Sequence, residues 1–211
     1  MNKITAIHTR RGRGKRVNVL LDGKFAFSLE AEVAVRECLQ VGQELSSSQI
    51  ETLSKSDHFL RCLNAAARYL SYRPRSESEL RGRLQQRGFD GDSVEMVIAK
   101  LKEQGLVDDV AFAQFWKDSR ESFSPRSQWL TKLELRRKGV TRDIIDQVVD
   151  AIDDNDSAYR AAESKARSLS LSDYQTFRYR LAGYLKRRGF GYEVINHTAK
   201  KLWQEQGGKL R

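Results

Sequence analysis

Proline is nearly missing from this sequence: there are two in 211 residues, beside two cysteines, two methionines and three histidines. Cys38 and Cys62 carry no zinc or redox spacing, and each sits among apolar, helix-like neighbours, so both are expected as small buried hydrophobes rather than a disulfide or a nucleophile. His8, His58 and His197 are scattered, with no second His or Cys at ligand spacing, which argues against a metal site. No apolar run approaches the roughly 18 residues of a spanning helix, and the opening "MNKITAIHTRRGRGK" lacks the apolar stretch of a signal peptide. A cytoplasmic protein with no membrane partner is expected. The "GRGK" stretch lacks the Gly-x4-Gly-Lys-Ser/Thr pattern of a phosphate loop and reads as a basic hairpin turn. No metal, nucleotide or other cofactor is expected.

Positive charge, by contrast, is plentiful. Lys and Arg number 38 against 28 Asp and Glu, a net charge of +10. Such a balance favours a polyanionic partner. Hydrophobic residues at 39% and aromatics at 9% suffice for packed cores, so the charge does not signal disorder.

The two prolines head the same tripeptide, Pro74-Arg75-Ser76 and Pro125-Arg126-Ser127, 51 residues apart. The same shift superposes Leu84 on Leu135, Gly88 on Gly139, and Val94, Val97, Ile98 and Leu101 on Ile145, Val148, Val149 and Ile152. A third copy without the proline places Leu181, Leu185, Gly189, Phe190, Ile195 and Leu202 likewise. Each copy reads as helix, Gly turn, helix. Ser76 with Glu79 forms a capping-box pattern, and Ser172 with Gln175 offers the third copy a similar one. Gly88, Gly139 and Gly189 suit the left-handed residue that ends a helix, and Asp90, Thr141 and Gly191 stand where the next helix needs its N-cap. A further helix precedes each pair, starting at Asp57, Asp109 and Asp156. The acid pairs Asp108-Asp109 and Asp153-Asp154 lie at the boundaries between copies and read as caps; a two-metal nuclease would use such carboxylates, but no basic or nucleophilic partner accompanies them. Trp116, Trp129 and Trp203 fall on apolar stripes and are expected in the core.

Residues 1–56 differ. "ITAIHT", "RVNVLLDG" and "FAFSL" read as strands, with Asp22-Gly23 as a hairpin turn, and "EAEVAVRECL" and "SSSQIETLSK" as two short helices. The expected fold is mainly α: a tandem array of three three-helix units, 57–107, 108–155 and 156–211, behind a small N-terminal sheet extension. Tandem units of this kind, each contacting only its neighbours, are expected to form a linear array.

Residues 156–211 hold 12 Lys and Arg against 5 Asp and Glu, whereas residues 108–155 hold 8 against 10. In every copy basic residues gather before the Gly turn, in "RLQQRG", "ELRRKG" and "YLKRRG". They are either solvated helix ends complementing the dipole or a stripe that meets a partner. The residues of such a stripe are Arg73, Arg75, Arg81, Arg83 and Arg87; Arg126, Lys132, Arg136, Arg137 and Lys138; and Arg178, Arg180, Lys186, Arg187 and Arg188. Lys200 and Lys201 lie outside the repeated cluster. The rival reading is a tandem helix-turn-helix protein on duplex DNA, but "DSVEMVIAKLKEQ" and "RDIIDQVVDAIDD" are acidic or apolar where base-reading side chains are needed. Catalysis is not expected.

The succession "RPRSESELRGRLQQRGF", "GLVDDVAFAQFW", "PRSQWLTKLELRRKGV" and "GYLKRRGF" resembles the RecX family of bacterial recombination regulators, over residues 57–205. The resemblance implies three tandem three-helix units that bind the RecA filament on single-stranded DNA and limit strand exchange and repressor cleavage. It implies a negative regulator of homologous recombination and the SOS response, expected as a monomer, that reaches single-stranded DNA directly or through the filament. It also implies that the N-terminal sheet is an extension carried by only some members.

Overall fold

A computed structural model describes residues 2–9, 16–170 and 173–207. The chain divides into two compact units, residues 1–73 with 80–106 and residues 74–79 with 107–211.

In the first unit, β1 (Asn2–Thr9), β2 (Arg16–Leu21), β3 (Lys24–Glu30) and β4 (Glu44–Leu45) form one antiparallel sheet in the order β3-β2-β1-β4. Alternation along β2 buries Val17, Val19 and Leu21, and Asp22-Gly23 makes the two-residue turn to β3. The expected turn at "RRGRGK" lies outside the described residues. The buried sheet face packs on Val33 of α1 (Ala31–Arg36) and on Leu53 and Leu60 of α2 (Ser47–Tyr72).

Helix α2 corrects two expectations. "SSSQIETLSK" is not a separate short helix, and Asp57 does not begin one: both lie within a single 26-residue helix opened by a Ser46–Gln49 capping box. Asp57 is buried, and its carboxylate has tertiary partners that sequence spacing does not reveal: the Glu30 N–H donates to it at 2.6 Å and Arg16 at 3.3 Å. One helix therefore serves two cores. Leu53 and Leu60 cover the sheet; along the rest of the helix Cys62, Ala65 and Ala66 are buried, as are Leu80 and Leu84 of α3 (Glu77–Gln86) and Val94, Val97, Ile98 and Leu101 of α4 (Gly91–Glu103), with α2 packed on α4. Cys38 is exposed, contrary to expectation, because α1 stops at Arg36 and Cys38 lies in the turn beyond it at φ 50°.

The second unit holds two more three-helix domains. One is α5 (Asp109–Phe123), α6 (Gln128–Arg137) and α7 (Arg142–Val149), around Phe112, Leu135, Val140, Ile145 and Val149. The other is α8 (Asp154–Arg167), α9 (Tyr174–Lys186) and α10 (Tyr192–Glu205), where four buried alanines of α8 meet Phe177, Leu181, Leu185 and Trp203. Trp129, expected in the core, is 64% exposed on the first turn of α6, while Trp116 is partly buried against the core and Trp203 is buried. Asp90, Asp108, Ser127 and Asp153 cap the helices that follow them. Ser172 lies outside the described residues; Asp173 caps α9 by accepting from the Thr176 N–H at 2.7 Å.

The repeated Pro-Arg-Ser acquires its reason in the second unit. The Ser76 hydroxyl accepts from the Glu79 N–H at 3.1 Å and donates to the Lys138 carbonyl at 2.5 Å, just before Gly139. The Ser127 hydroxyl accepts from the Leu130 N–H, and its own N–H donates to the Arg188 carbonyl at 3.0 Å, just before Gly189. Each such serine clasps the Gly turn of the copy that follows. The acid pairs complete the clasp: Asp108 and Asp153 cap their own helices, whereas Asp109 accepts from Glu77 N–H at 2.8 Å and Asp154 from Gln128 N–H at 2.7 Å.

Candidate functional site

The basic residues singled out by the repeat have different fates. In the first three-helix domain Arg81 grips Glu95 with both oxygens engaged, at 2.7 and 3.0 Å, bridging α3 to α4. Arg83 and Arg87 are exposed with no side-chain partner among the described residues, while Arg73 and Arg75 are half-buried and engaged in contacts.

In the second domain most of the charge is spent internally. Lys132 reaches Asp146 at 2.7 Å and Asp150 at 2.6 Å, bridging α6 to the third helix of its domain, and these carboxylates hold its ammonium above the usual lysine range. Arg126 pairs with Glu134, which Arg120 also contacts at 2.8 Å. Lys138 turns inward onto Glu79, at 2.8 Å, and over the Trp116 ring, at 4.1 Å. Only Arg136 and Arg137 of this set stand exposed and unpaired among the described residues.

The third domain is different. Positions equivalent to Arg81 and Lys132 hold Ala182, and those equivalent to Glu95 and Asp146 hold Asn196. The carboxylate is gone. Arg178, one turn earlier, donates to Asn196 Oδ1 at 2.8 Å and to the Tyr192 hydroxyl at 3.2 Å, and has no carboxylate partner among the described residues. Arg180, Lys186 and Arg187 are exposed beside it. Arg188, like Lys138, is withdrawn: its guanidinium lies 3.8 Å over Tyr184, and its Nε is buried. The "KRR" cluster therefore divides into an outward pair and an inward packing residue.

Between α9 and α10 these cations border a hollow of 640 Å³ with an apolar floor that includes Phe190 and Ile195. A second hollow of 490 Å³ shares Arg178, Tyr192 and Asn196 with the first and extends to Lys200. The two make one trough, and no acidic residue lines either part. Lys200, placed outside the basic cluster by the repeat, thus belongs to the same surface. Two further residues were missed by sequence reasoning, Tyr179 and Tyr192, which are 80% and 72% exposed at the trough. Their signal was the interleaving of rings and cations in "FRYRLAGYLKRRGFGY".

Comparison with known proteins gives four consecutive matches to family models: the regulatory protein RecX N-terminal domain at residues 2–46, and the RecX first, second and third three-helix domains at 62–101, 108–149 and 153–198. The likeness thus extends to the N-terminal sheet. The regulatory protein RecX of Clostridium perfringens (strain 13 / Type A) is 32% identical over 207 residues, covering 96% of this chain and 97% of that protein. A crystal structure of regulatory protein RecX superposes with a TM-score of 0.68 at 25% identity, covering 95% of this chain and all of the other. A crystal structure of RecX from Lactobacillus salivarius does so with a TM-score of 0.59 at 25% identity, covering 70% of this chain and 97% of the other.

Proposed function

This chain belongs to the RecX family of regulatory proteins, and from that premise we propose that it is a negative regulator of homologous recombination and the SOS response, binding the RecA filament on single-stranded DNA. It acts in the cytoplasm as a monomer and by binding alone. The observation that carries the reading is the acid-free basic trough on the third domain. A filament of recombinase on DNA is a polyanion with a continuous groove. Arg180, Lys186 and Arg187 present exposed cations to it beside the half-buried Arg178, while Arg83, Arg87, Arg136 and Arg137 offer further exposed ones. Occupation of the groove then blocks further assembly or entry of a second DNA. A major-groove reading of duplex DNA is disfavoured by α7, which carries Asp143 and Asp146 where base-reading side chains are needed.

The test is Lys186→Glu with Arg187→Glu in the full chain, against preassembled filament. Arg188 is left in place because it packs on Tyr184. Inhibition of filament activity is expected to disappear, and the salt dependence of binding to become shallower, by roughly 0.7 in logarithmic slope for each phosphate that is no longer neutralised. The matched control is Lys165→Glu with Arg167→Glu on α8, outside the trough. Equal losses in both variants, or full inhibition by a folded Lys186/Arg187 variant, would overturn the reading.

A further inference from the structure

We propose that the trough between α9 and α10 holds single-stranded nucleic acid directly, bases stacking on Tyr179 and Tyr192 and phosphates lying against Arg178, Arg180, Lys186 and Arg187. This inference rests on the functional reading above and names the component of the filament that this domain touches.

Three features select the occupant. The first is charge: cations border the trough along its length, from Lys186 and Arg187 to Arg178 and Lys200, and no carboxylate among the lining residues opposes them. The equivalent surfaces in the other two domains are closed by Arg81–Glu95 and by Lys132–Asp146. The second is the exposed rings. A tyrosine 80% exposed in mid-helix, between two arginines, is poorly explained by packing, and Tyr192 stands 72% exposed at the start of α10. Exposed rings among cations supply the sequence-tolerant stacking and backbone tracking that single strands need. The third is the apolar floor of Phe190 and Ile195, which suits a nucleobase and offers little to an acidic peptide. A duplex hides the faces of its bases in the stack, so it would use the cations and leave the rings idle.

Arg178 joins the two elements of the site. Its guanidinium reaches Asn196 and the Tyr192 hydroxyl and lies 5.7 Å from that ring's centre, fixing the ring beside a charge. Gly183, on the same face of α9, leaves the floor open to a planar group.

The test uses the full chain without recombinase or nucleotide. A fluorescent oligothymidylate of about 16 nucleotides, enough for one such site, is titrated in parallel with a duplex of equal length and with polyglutamate. The wild type is expected to prefer the single strand. Tyr192→Ala and Tyr179→Ala should each weaken strand binding by about tenfold, since stacking on one ring supplies that order of discrimination. Tyr179→Phe should bind as the wild type does, because the ring face remains, whereas Tyr192→Phe, which also loses the hydroxyl that Arg178 holds, should fall between the wild type and Tyr192→Ala. The salt slope is expected to stay unchanged in the tyrosine variants and to flatten in the Lys186/Arg187 variant, separating stacking from counterion release.

Tyrosine-to-alanine variants that bind oligothymidylate like the wild type would overturn the inference, as would equal affinity for duplex or a preference for polyglutamate. If that happens while the Lys186/Arg187 variant still loses filament inhibition, the trough meets an acidic protein surface, and the proposed function survives without direct strand contact. If the tyrosine variants lose strand binding while the Lys186/Arg187 variant inhibits fully, the strand site stands and the proposed function falls.

Discussion

The three equivalent glycines at the helix turns provide an internal experiment on how the domains are clasped. Gly88, Gly139 and Gly189 all have left-handed backbones, at φ 87°, 78° and 86°. Placing Ala in that conformation costs roughly 1–2 kcal/mol at any of the three. Their surroundings differ. A Cβ at Gly88 would meet nothing within 4 Å, whereas one at Gly189 would stand 2.5 Å from Ser127 Oγ and 2.7 Å from Leu130 Cβ, and one at Gly139 would collide with the Ser78 side chain. Leu130 Cβ is fixed to a capped helical backbone and cannot swing aside, so overpacking adds typically about 1–3 kcal/mol. Gly88→Ala is therefore expected to be the mild member, and Gly139→Ala and Gly189→Ala to cost roughly 2–5 kcal/mol. Urea unfolding followed by circular dichroism gives the order, and native-state hydrogen exchange locates the loosened domain. A second variant isolates the cause. Ser78→Gly alone costs a few tenths of a kcal/mol in helix propensity, to about 0.5, yet combined with Gly139→Ala it removes the atoms that collide and should bring the loss back toward that of Gly88→Ala. Equal losses at all three glycines, or no relief from Ser78→Gly, would refute the clasp.

Thiol chemistry should separate the two cysteines: burial pushes Cys62 up to about 11, so alkylation of the native protein near pH 8 is expected at exposed Cys38 alone, with Cys62 labelled only on unfolding; mass spectrometry of the labelled peptides decides. The helix-capping acids should give pH effects of opposite sign. Ser93 holds Asp90, and Thr176 holds Asp173, below the usual carboxylate range through backbone and hydroxyl hydrogen bonds. Their stabilisation is complete above the unfolded value of about 3.9 and is lost as pH falls through the lowered folded values. Burial instead raises Asp154, whose folded form favours the proton, so its contribution is complete below that unfolded value and declines as pH rises through the folded one. Asp154→Asn keeps an acceptor for Gln128 N–H and should flatten the stability profile just above pH 4, whereas Asp154→Ala should cost about 1 kcal/mol at neutral pH; thermal melts across pH check both.

How far the sequence can be read follows from the range of the interactions involved. Left-handed glycines, N-caps and the Asp22-Gly23 turn are settled within a few residues, so their spacing announces them. Asp57 misled because an acid before an apolar stripe looks like a helix start, yet its partners Arg16 and Glu30 lie on the sheet. Trp129 misled in the opposite way: it keeps helical phase with core positions but falls on the first turn of α6, where it remains largely exposed. The trough was half legible. Arg178, Arg180, Lys186 and Arg187 came from charge clustering, but Tyr192 and Lys200 join them only because α10 folds back along α9.

The sequence by itself determined three copies of helix, turn and helix, their punctuation and their excess of cations, because periodicity, capping and backbone preference act locally. Tertiary structure decided which cations are available. Lys132 and Lys138 look like their exposed neighbours in sequence, but carboxylates and a ring brought from other helices neutralise or cover them, while the exchange of an acid for Asn196 leaves the third domain's charge open; Arg188 is covered locally, by Tyr184 one turn earlier. It also gave the repeated Pro-Arg-Ser its purpose: a serine can clasp a turn about 60 residues away only after the chain has packed the two together, since neither propensity nor spacing encodes a partner at that distance.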